Sequence, residues 1–218
     1  MDLMKIRLRP LRREDYPAIE EIIRKTWKYD TLSKNSKDAG HMGRLYLRSC
    51  LIRATFAYVA VYEGEVLGII LANSKKDKPK HQIRRNLSQL WAIALLFTTK
   101  TGRQIGKFFQ RFDQVDRELL KNSPRDFDGE ICLFAVKENA RGTGVGKRLY
   151  SAALSYLKSQ RAKSFFLFTD TSCTYQFYEK RGMLRLGEKV VEFQPYTNYK
   201  LHMFLYGHCF EPAQEGNS

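Results

Sequence analysis

Arg141-Gly142-Thr143-Gly144-Val145-Gly146 is the stretch on which the reading of this chain turns. It joins a strand-like run, Glu130 to Val136, to an amphipathic helical run from about Gly144 to Gln160. Glycine accepts positive φ and lets the backbone approach a ligand with no Cβ in the way. The free N–H groups of a helix start, together with the helix dipole, suit a phosphate. Arg141 and Lys147 add positive charge at the two edges. A G-x-x-x-x-G-K-[ST] loop fails, because Arg141 stands where its first glycine belongs and Arg148 where Ser or Thr must follow. A G-x-G-x-x-G fingerprint starting at Gly142 fails at Lys147. Kinase glycine-rich signatures are also missing. The pattern that fits is R-x-x-G-x-G on Arg141, Gly144 and Gly146.

Downstream of this turn, Val145, Leu149, Ala152, Ala153, Tyr156 and Leu157 form the apolar stripe of a helix. Ser164 to Thr169 reads as a buried strand, and Thr171 to Arg181 as a short helix stopped by Gly182. Two strands follow, around Leu184–Glu192 and Lys200–Gly207, and the end from Glu211 to Ser218 reads as a frayed tail. Upstream, Lys5 to Arg9 alternates like a strand with one buried face and Pro10 ends it. A helix follows, with Glu14 and Asp15 in its first turn and Ile19, Ile22, Ile23 and Trp27 at helical spacing. Lys28 to Gly43 reads as a polar loop and Arg44 to Ala54 as a helix. Phe56–Tyr62 and Val66–Ala72 flank Glu63-Gly64-Glu65 as a hairpin. Residues 73–128 carry 13 Lys/Arg and 6 Asp/Glu, a net of +7, and read as an insertion of two helices, Ile83–Phe97 and Ile105–Leu120, parted by a Thr-Lys-Thr-Gly turn; the plain reading is a structural insertion with a solvated basic face, the sharper one a substrate-gating or partner-binding insert. The order is β-α-α-β-β, helical insert, β-α-β-α-β-β, and its second half implies a parallel pair with a right-handed crossover.

At this point the chain resembles the GNAT superfamily of N-acetyltransferases, whose hallmark is [QR]-x-x-G-x-[GA] after the fourth strand. Glu130-Ile-Cys-Leu-Phe-Ala-Val136 looks like that strand, and Tyr175-Gln-Phe-Tyr-Glu-Lys-Arg-Gly-Met183 looks like the family's later F-Y-x-x-x-G-F element. Ile6-Arg-Leu-Arg-Pro10 and Asp15 look like its opening. The likeness spans roughly 1–72 and 129–207, and the insert has no counterpart. It implies an α/β fold with a six- to seven-stranded, mostly antiparallel mixed sheet, splayed between strands 4 and 5 and flanked by helices. It also implies one acetyltransferase domain over 1–210, with the insertion at about 74–128 and the tail at 211–218.

The resemblance implies acetyl-CoA as cofactor. Its pyrophosphate would lie on Arg141, Gly142, Thr143, Gly144, Val145, Gly146 and Lys147, and its pantetheine on the backbone of Leu133, Phe134, Ala135 and Val136. Thr171, Phe177 and Tyr178 complete that set, although the family often has Asn where Thr171 stands and Phe where Met183 stands. A backbone N–H near Phe134 would stabilise the oxyanion. Tyr178 is the candidate general acid and Glu130 the candidate general base, with Asp128 and Asp170 as weaker alternatives. Read from the residues alone, Tyr178 is a packed aromatic beside Tyr175 and Phe177, and Glu130 a charge at a strand end. The acceptor pocket would draw on Trp27, Tyr29, Tyr46, Tyr196 and Tyr199.

The bulk numbers agree with a folded domain. The 218 residues are 43% hydrophobic and 13% aromatic, enough apolar material for a packed core. The formal charge is +15 and the pI about 9.7, which fits nucleic acid, a polyanionic cofactor or plain solubility. If that charge lies near the site, it favours an anionic or neutral acceptor over a polyamine. The second function held open is a silent CoA-binding module whose basic insert contacts RNA or ribosome. Trp91, Phe97, Phe108, Phe109 and Phe112 stand among its basic residues, although such spacing also reads as core. Four scattered cysteines without a C-x-x-C pair point to reduced thiols, and the histidines form no metal cluster. The start lacks the apolar core of a signal peptide, and Leu87–Phe97 is far short of the ~20 residues of a membrane span. The expectations are therefore a cytoplasmic enzyme, no metal, no membrane, an amine substrate as partner rather than nucleic acid, and a homodimer as an open option.

Overall fold

A computed structural model describes residues 5–32, 36–77, 100–192 and 200–210, with single positions at 87, 90, 91, 94 and 98. Seven strands form one sheet: β1 Arg7–Pro10, β2 Phe56–Tyr62, β3 Glu65–Ser74, β4 Gly129–Val136, β5 Ser164–Asp170, β6 Leu184–Glu192 and β7 Lys200–Cys209. Their order across the sheet is β1-β2-β3-β4-β5-β7-β6. Every neighbouring pair is antiparallel except β4–β5, which is parallel. This is the mixed sheet that the sequence implies.

Helices cover both faces. On one face lie α1 Tyr16–Thr26, α2 Tyr29–Leu32, α3 Ser36–Arg53 and α4 Lys100–Lys121. On the other, α5 Val145–Ser159 buries Val145, Leu149, Tyr150, Ala153 and Leu157 against the sheet, close to the stripe read from the sequence. The short α6, Gln176–Glu179, adds Tyr178 to the same core. The insert helix α4 joins two separate cores. Its N-terminal half puts Ile105, Phe108 and Phe109 with α1–α3, and its C-terminal half puts Val115 and Leu119 with Phe127, Phe166, Leu201 and Leu205.

Three local expectations change. The stretch Lys28–Gly43 is helical over most of its described length, because Ala39 and Met42 are buried against α1. Gly43 is there for clearance: a Cβ on it would stand 2.7 Å from the backbone oxygen of Glu20, so only glycine lets α3 approach α1 this closely. The helix expected over Thr171–Arg181 shrinks to Gln176–Glu179. The Asp170 carboxyl takes the Ser172 N–H at 2.7 Å, and such a side-chain turn competes with helix. The turn expected at Thr99–Gly102 is largely absorbed into the first turn of α4. The helix expected over Ile83–Phe97 and the tail 211–218 lie largely or wholly outside the described residues.

What positions the site is the parting of β4 from β5. They pair only at Gly129↔Phe165 and Glu130↔Phe166. The β3–β4 register runs Leu71↔Leu133 and then Ala72↔Ile131, so Cys132 is an extra, bulged residue. A bulge bends its strand and sharpens the twist. From Cys132 onward β4 keeps β3 on one edge and has no strand on the other. Into that wedge project the rings of Phe134, Phe177 and Tyr178, with centroids 5.3 Å apart for Phe134–Phe177 and 6.4 Å for Phe134–Tyr178.

Candidate active site

A single cavity of about 1330 Å³ follows this wedge from the glycine turn to the far side of α4. Sites for one ordinary ligand hold roughly 300–1,000 Å³, so there is room for a large cofactor and an acceptor together.

At one end the chain enters α5 through Gly144, whose φ is +88°. That left-handed conformation is natural only to glycine. Gly144 caps the helix with no side-chain hydrogen bond, and the first helical bond runs from Arg148 N to Gly144 O at 3.1 Å. The N–H groups of Val145, Gly146 and Lys147 thus precede the helical ladder and point out of the helix start. Arg141, Lys147 and Arg181 stand around the same end of the cavity. Arg181 also lies over the Phe177 ring at 3.4 Å. This cradle of N–H groups and cations fits a polyanionic phosphate group.

Of the residues expected to bind cofactor, Leu133, Phe134, Ala135, Val136, Arg141, Gly142, Gly144, Gly146, Lys147, Phe177 and Tyr178 border the cavity. Three do not. Val145 turns its side chain into the core, and Thr143 spends its hydroxyl on the Ala140 carbonyl at 2.7 Å. Thr171 is exposed, and its Oγ1 accepts the His202 N–H at 3.2 Å. Its neighbours Asp170, Ser172, Cys173 and Thr174 line the cavity instead.

At the centre stands Glu130, buried at the mouth of the splay. Arg53 from the end of α3 reaches it, with Nη1 3.3 Å from Oε1. Burial pushes the Glu130 carboxyl above the usual carboxylate range, opposed by the Arg53 charge and a hydrogen bond from the Cys132 thiol. Tyr178 is buried as well, and desolvation holds its phenol far above its ordinary pKa, so it keeps its proton. Asp128, a weaker candidate for base, is absent from the cavity wall and accepts the Lys163 N–H at 2.6 Å. Asp170 does border the cavity, but the side chains of Ser172 and Trp27 already bond it.

The far end is aromatic. Trp27 and Tyr46 lie 5.1 Å apart, Tyr46 stacks on Phe109 at 5.9 Å, and Tyr29 meets Phe109 edge-on at 6.0 Å. The expected trio of Trp27, Tyr29 and Tyr46 thus comes together, while Tyr196 and Tyr199 lie outside the described residues. Sequence reasoning missed the part played by α4, which lends Phe108, Phe109, Phe112, Asp113 and Asp116 to the wall. It also missed Arg53 and Arg181. A signal for α4 existed: Asp116 sits on the stripe of Phe109 and Phe112, at i+7 and i+4, where a carboxylate has no reason to be unless the stripe faces a site.

All four cysteines are free, and among the described residues no group of three His, Cys, Asp or Glu gathers to hold a metal. No described helix is long and apolar enough to cross a membrane.

The family described as Acetyltransferase (GNAT) family matches residues 16–183. The fold is shared with SsHAT, at a TM-score of 0.61 and 15% identity over 94% of this chain and 98% of that one. It is shared with Ard1 from Thermoplasma volcanium, at 0.54 and 14% over 94% and 97%. An N-acetyltransferase from Staphylococcus aureus Mu50 gives 0.54 and 15% over 94% and 98%. No curated protein matches the chain.

Proposed function

This chain belongs to the acetyltransferase (GNAT) family, whose cofactor is acetyl-CoA, and from that premise we propose that it transfers the acetyl group to a primary amine of a small molecule or protein by direct attack in a ternary complex. The observation that carries this is the single cavity running from the glycine turn past Glu130 to the aromatic wall, opened where β4 leaves β5.

Acetyl-CoA supplies an acyl thioester already activated for transfer. The chain's own groups bind, orient and move protons. N–H groups at the start of α5, with Arg141, Lys147 and Arg181, hold the pyrophosphate. The free edge of β4, from Leu133 to Val136, offers backbone hydrogen bonds to the pantetheine arm. The Phe134 N–H is the donor assigned to the acyl oxygen. Glu130 accepts a proton from the acceptor ammonium, for which a raised pKa suits it. Tyr178, kept protonated by burial, donates toward the departing sulfur.

A thermal shift with acetyl-CoA tests the first half. At ~100 times its Kd the cofactor stabilises by about 2.7 kcal/mol, which raises the Tm of a chain this size by roughly 5–10 °C. An amine panel with thiol detection tests the second half. No shift removes the foundation of the reading. A shift without thiol release from any amine, joined to a salt-sensitive RNA gel shift, would favour the silent CoA-binding module instead. The packing of Phe108, Phe109 and Phe112 into cavity wall and core favours the enzyme, because those rings are not free to stack on bases.

Arg53 gives a pH prediction. Glu130 must be ionised to act, so activity rises as pH passes its pKa. The Arg53 guanidinium holds that pKa down against burial. Arg53→Met therefore moves the acidic limb of the kcat/KM profile to higher pH, while the rate on the plateau changes less than the rate below the limb. An unmoved limb would show that the ionisation seen in the profile belongs to another group.

A further inference from the structure

The charge inside the acceptor end runs against the charge of the chain. The exposed groups at the cavity rim are Lys28, Arg103, Lys107 and Asp113. The wall also carries three carboxyls, Glu130 and Asp170 buried and Asp116 half-buried, and the exposed guanidinium of Arg53. Glu130 has Arg53, and Asp170 has Ser172 and Trp27. Asp116 is different. Its Oδ1 is shut off from solvent and has no hydrogen-bond partner among the described residues. A buried carboxyl oxygen left unpaired is costly, by roughly 1–3 kcal/mol or more, and calls for an explanation by function.

We propose that Asp116 is the acceptor-recognising residue and that the acceptor carries a second, cationic group besides the amine that is acetylated. This rests on the transferase reading of the cavity and names its substrate class: a diamine or an amine-bearing cation with an apolar body, not an amino acid with a carboxylate near the amine.

Three features support a cation over an anion here. An ammonium at Asp116 meets a carboxyl that can ionise against it, whereas a carboxylate there would add to the charges of Asp113, Glu130 and Asp170. The adjoining wall gathers the rings of Trp27, Tyr29, Tyr46 and Phe109, and aromatic rings attract cations. Last, Asp116 comes from the insert helix α4, at i+7 from Phe109 and i+4 from Phe112, so the segment that sets this chain apart supplies ring and carboxyl together. Burial, then the charges of Asp113, Glu130 and Asp170, push the Asp116 carboxyl up to about 8 against the pull of Arg53. The empty pocket therefore stores it largely protonated at neutral pH; an arriving ammonium favours the carboxylate, and the proton is released to solvent. The basic surface of the chain reaches this end at the rim, through Lys28, Arg103 and Lys107, outside the ring wall and Asp116.

The test compares three probes of one length on the CoA-saturated protein by calorimetry: cadaverine, n-pentylamine and 5-aminovalerate. Cadaverine should bind at least about tenfold more tightly than pentylamine, and 5-aminovalerate most weakly. Asp116→Asn should bring cadaverine to the level of pentylamine and leave pentylamine where it was. The variant keeps shape and removes a carboxyl that folding forces to hold a proton. Because that folded-state pKa is raised, the group's contribution falls as pH climbs toward 8, so the Asn variant melts no lower than wild type at pH 8. Equal binding of the three probes, tightest binding of 5-aminovalerate, or a cadaverine preference that survives in Asp116→Asn overturns the assignment. If the variant fails to fold, the wild-type order decides alone. Thiol release with cadaverine is read in parallel. Turnover without the order sinks Asp116 and spares the transferase, and the order without turnover does the reverse.

Discussion

Glu130→Gln is expected to lower kcat by about 10²–10⁴ while leaving the acetyl-CoA thermal shift intact. The substitution keeps the volume and shape of the side chain but removes its charge, one of its two acceptor oxygens and its ability to take a proton. An acceptor amine is an ammonium at neutral pH, without a lone pair for attack, so the proton must leave before the bond to the acetyl carbon forms. The fold offers Glu130 for this at the point where β4 leaves β5, with burial raising its proton affinity above that of an ordinary carboxylate. The variant should show a distinct pH signature. Its residual rate should climb steadily with pH, because only amine already neutral in solution can react, while the wild type levels off once Glu130 is ionised. Folding should survive, since glutamine removes a charge that the buried site disfavours. A variant that keeps more than a tenth of wild-type kcat at neutral pH would move the base to another group or to a water chain, with Asp170 the next candidate on the cavity wall.

Much of this site was legible because it is built from local rules. A glycine-rich turn between strand and helix, the R-x-x-G-x-G spacing and the stripe of α5 are short-range patterns, and the residues from Leu133 to Lys147 largely fell where they predict. The hairpin around Glu63 and Gly64 was equally plain. What escaped were features fixed by distant partners. The polar run from Lys28 to Gly43 looked like a loop, yet it holds the start of α3, and Gly43 is a contact residue, chosen by the nearness of the Glu20 carbonyl across a gap of over twenty residues. Asp170 cut short the helix expected after β5, because a carboxyl two residues back from Ser172 outcompetes the helix ladder. The insert was the largest loss. Its net charge invited a surface role, but charge summed over a segment says nothing about which side of a helix carries it. The phenylalanines and Asp116 of α4 share the side that meets the cavity, and that is decided by α3, β6 and β7, which no window along the insert contains.

Gly144→Glu is expected to abolish the acetyl-CoA thermal shift at concentrations that saturate the wild type. Two separate effects act in one direction. Gly144 sits at φ +88° and ψ −8°, a left-handed conformation that costs a residue with a Cβ roughly 1–3 kcal/mol when the surroundings hold it there. The unliganded variant should therefore melt several degrees lower. The second effect is electrostatic. A glutamate at the cap of α5 brings a carboxylate to the N–H groups of Val145, Gly146 and Lys147, where it competes for the donors the pyrophosphate needs and repels that anion across the same few ångströms. Gly144→Ala separates the two. It carries the strain without the charge, so its melting temperature should fall much as that of the glutamate variant does, yet it should keep part of its response to acetyl-CoA. If the glutamate variant shifts with acetyl-CoA as far as wild type, the phosphates lie elsewhere, and Arg141, Lys147 and Arg181 lose the common anion that accounts for their convergence on one end of the cavity. If both variants lose the shift equally, backbone shape alone governs the turn, and the charge at its edges affects how fast cofactor arrives more than how tightly it stays.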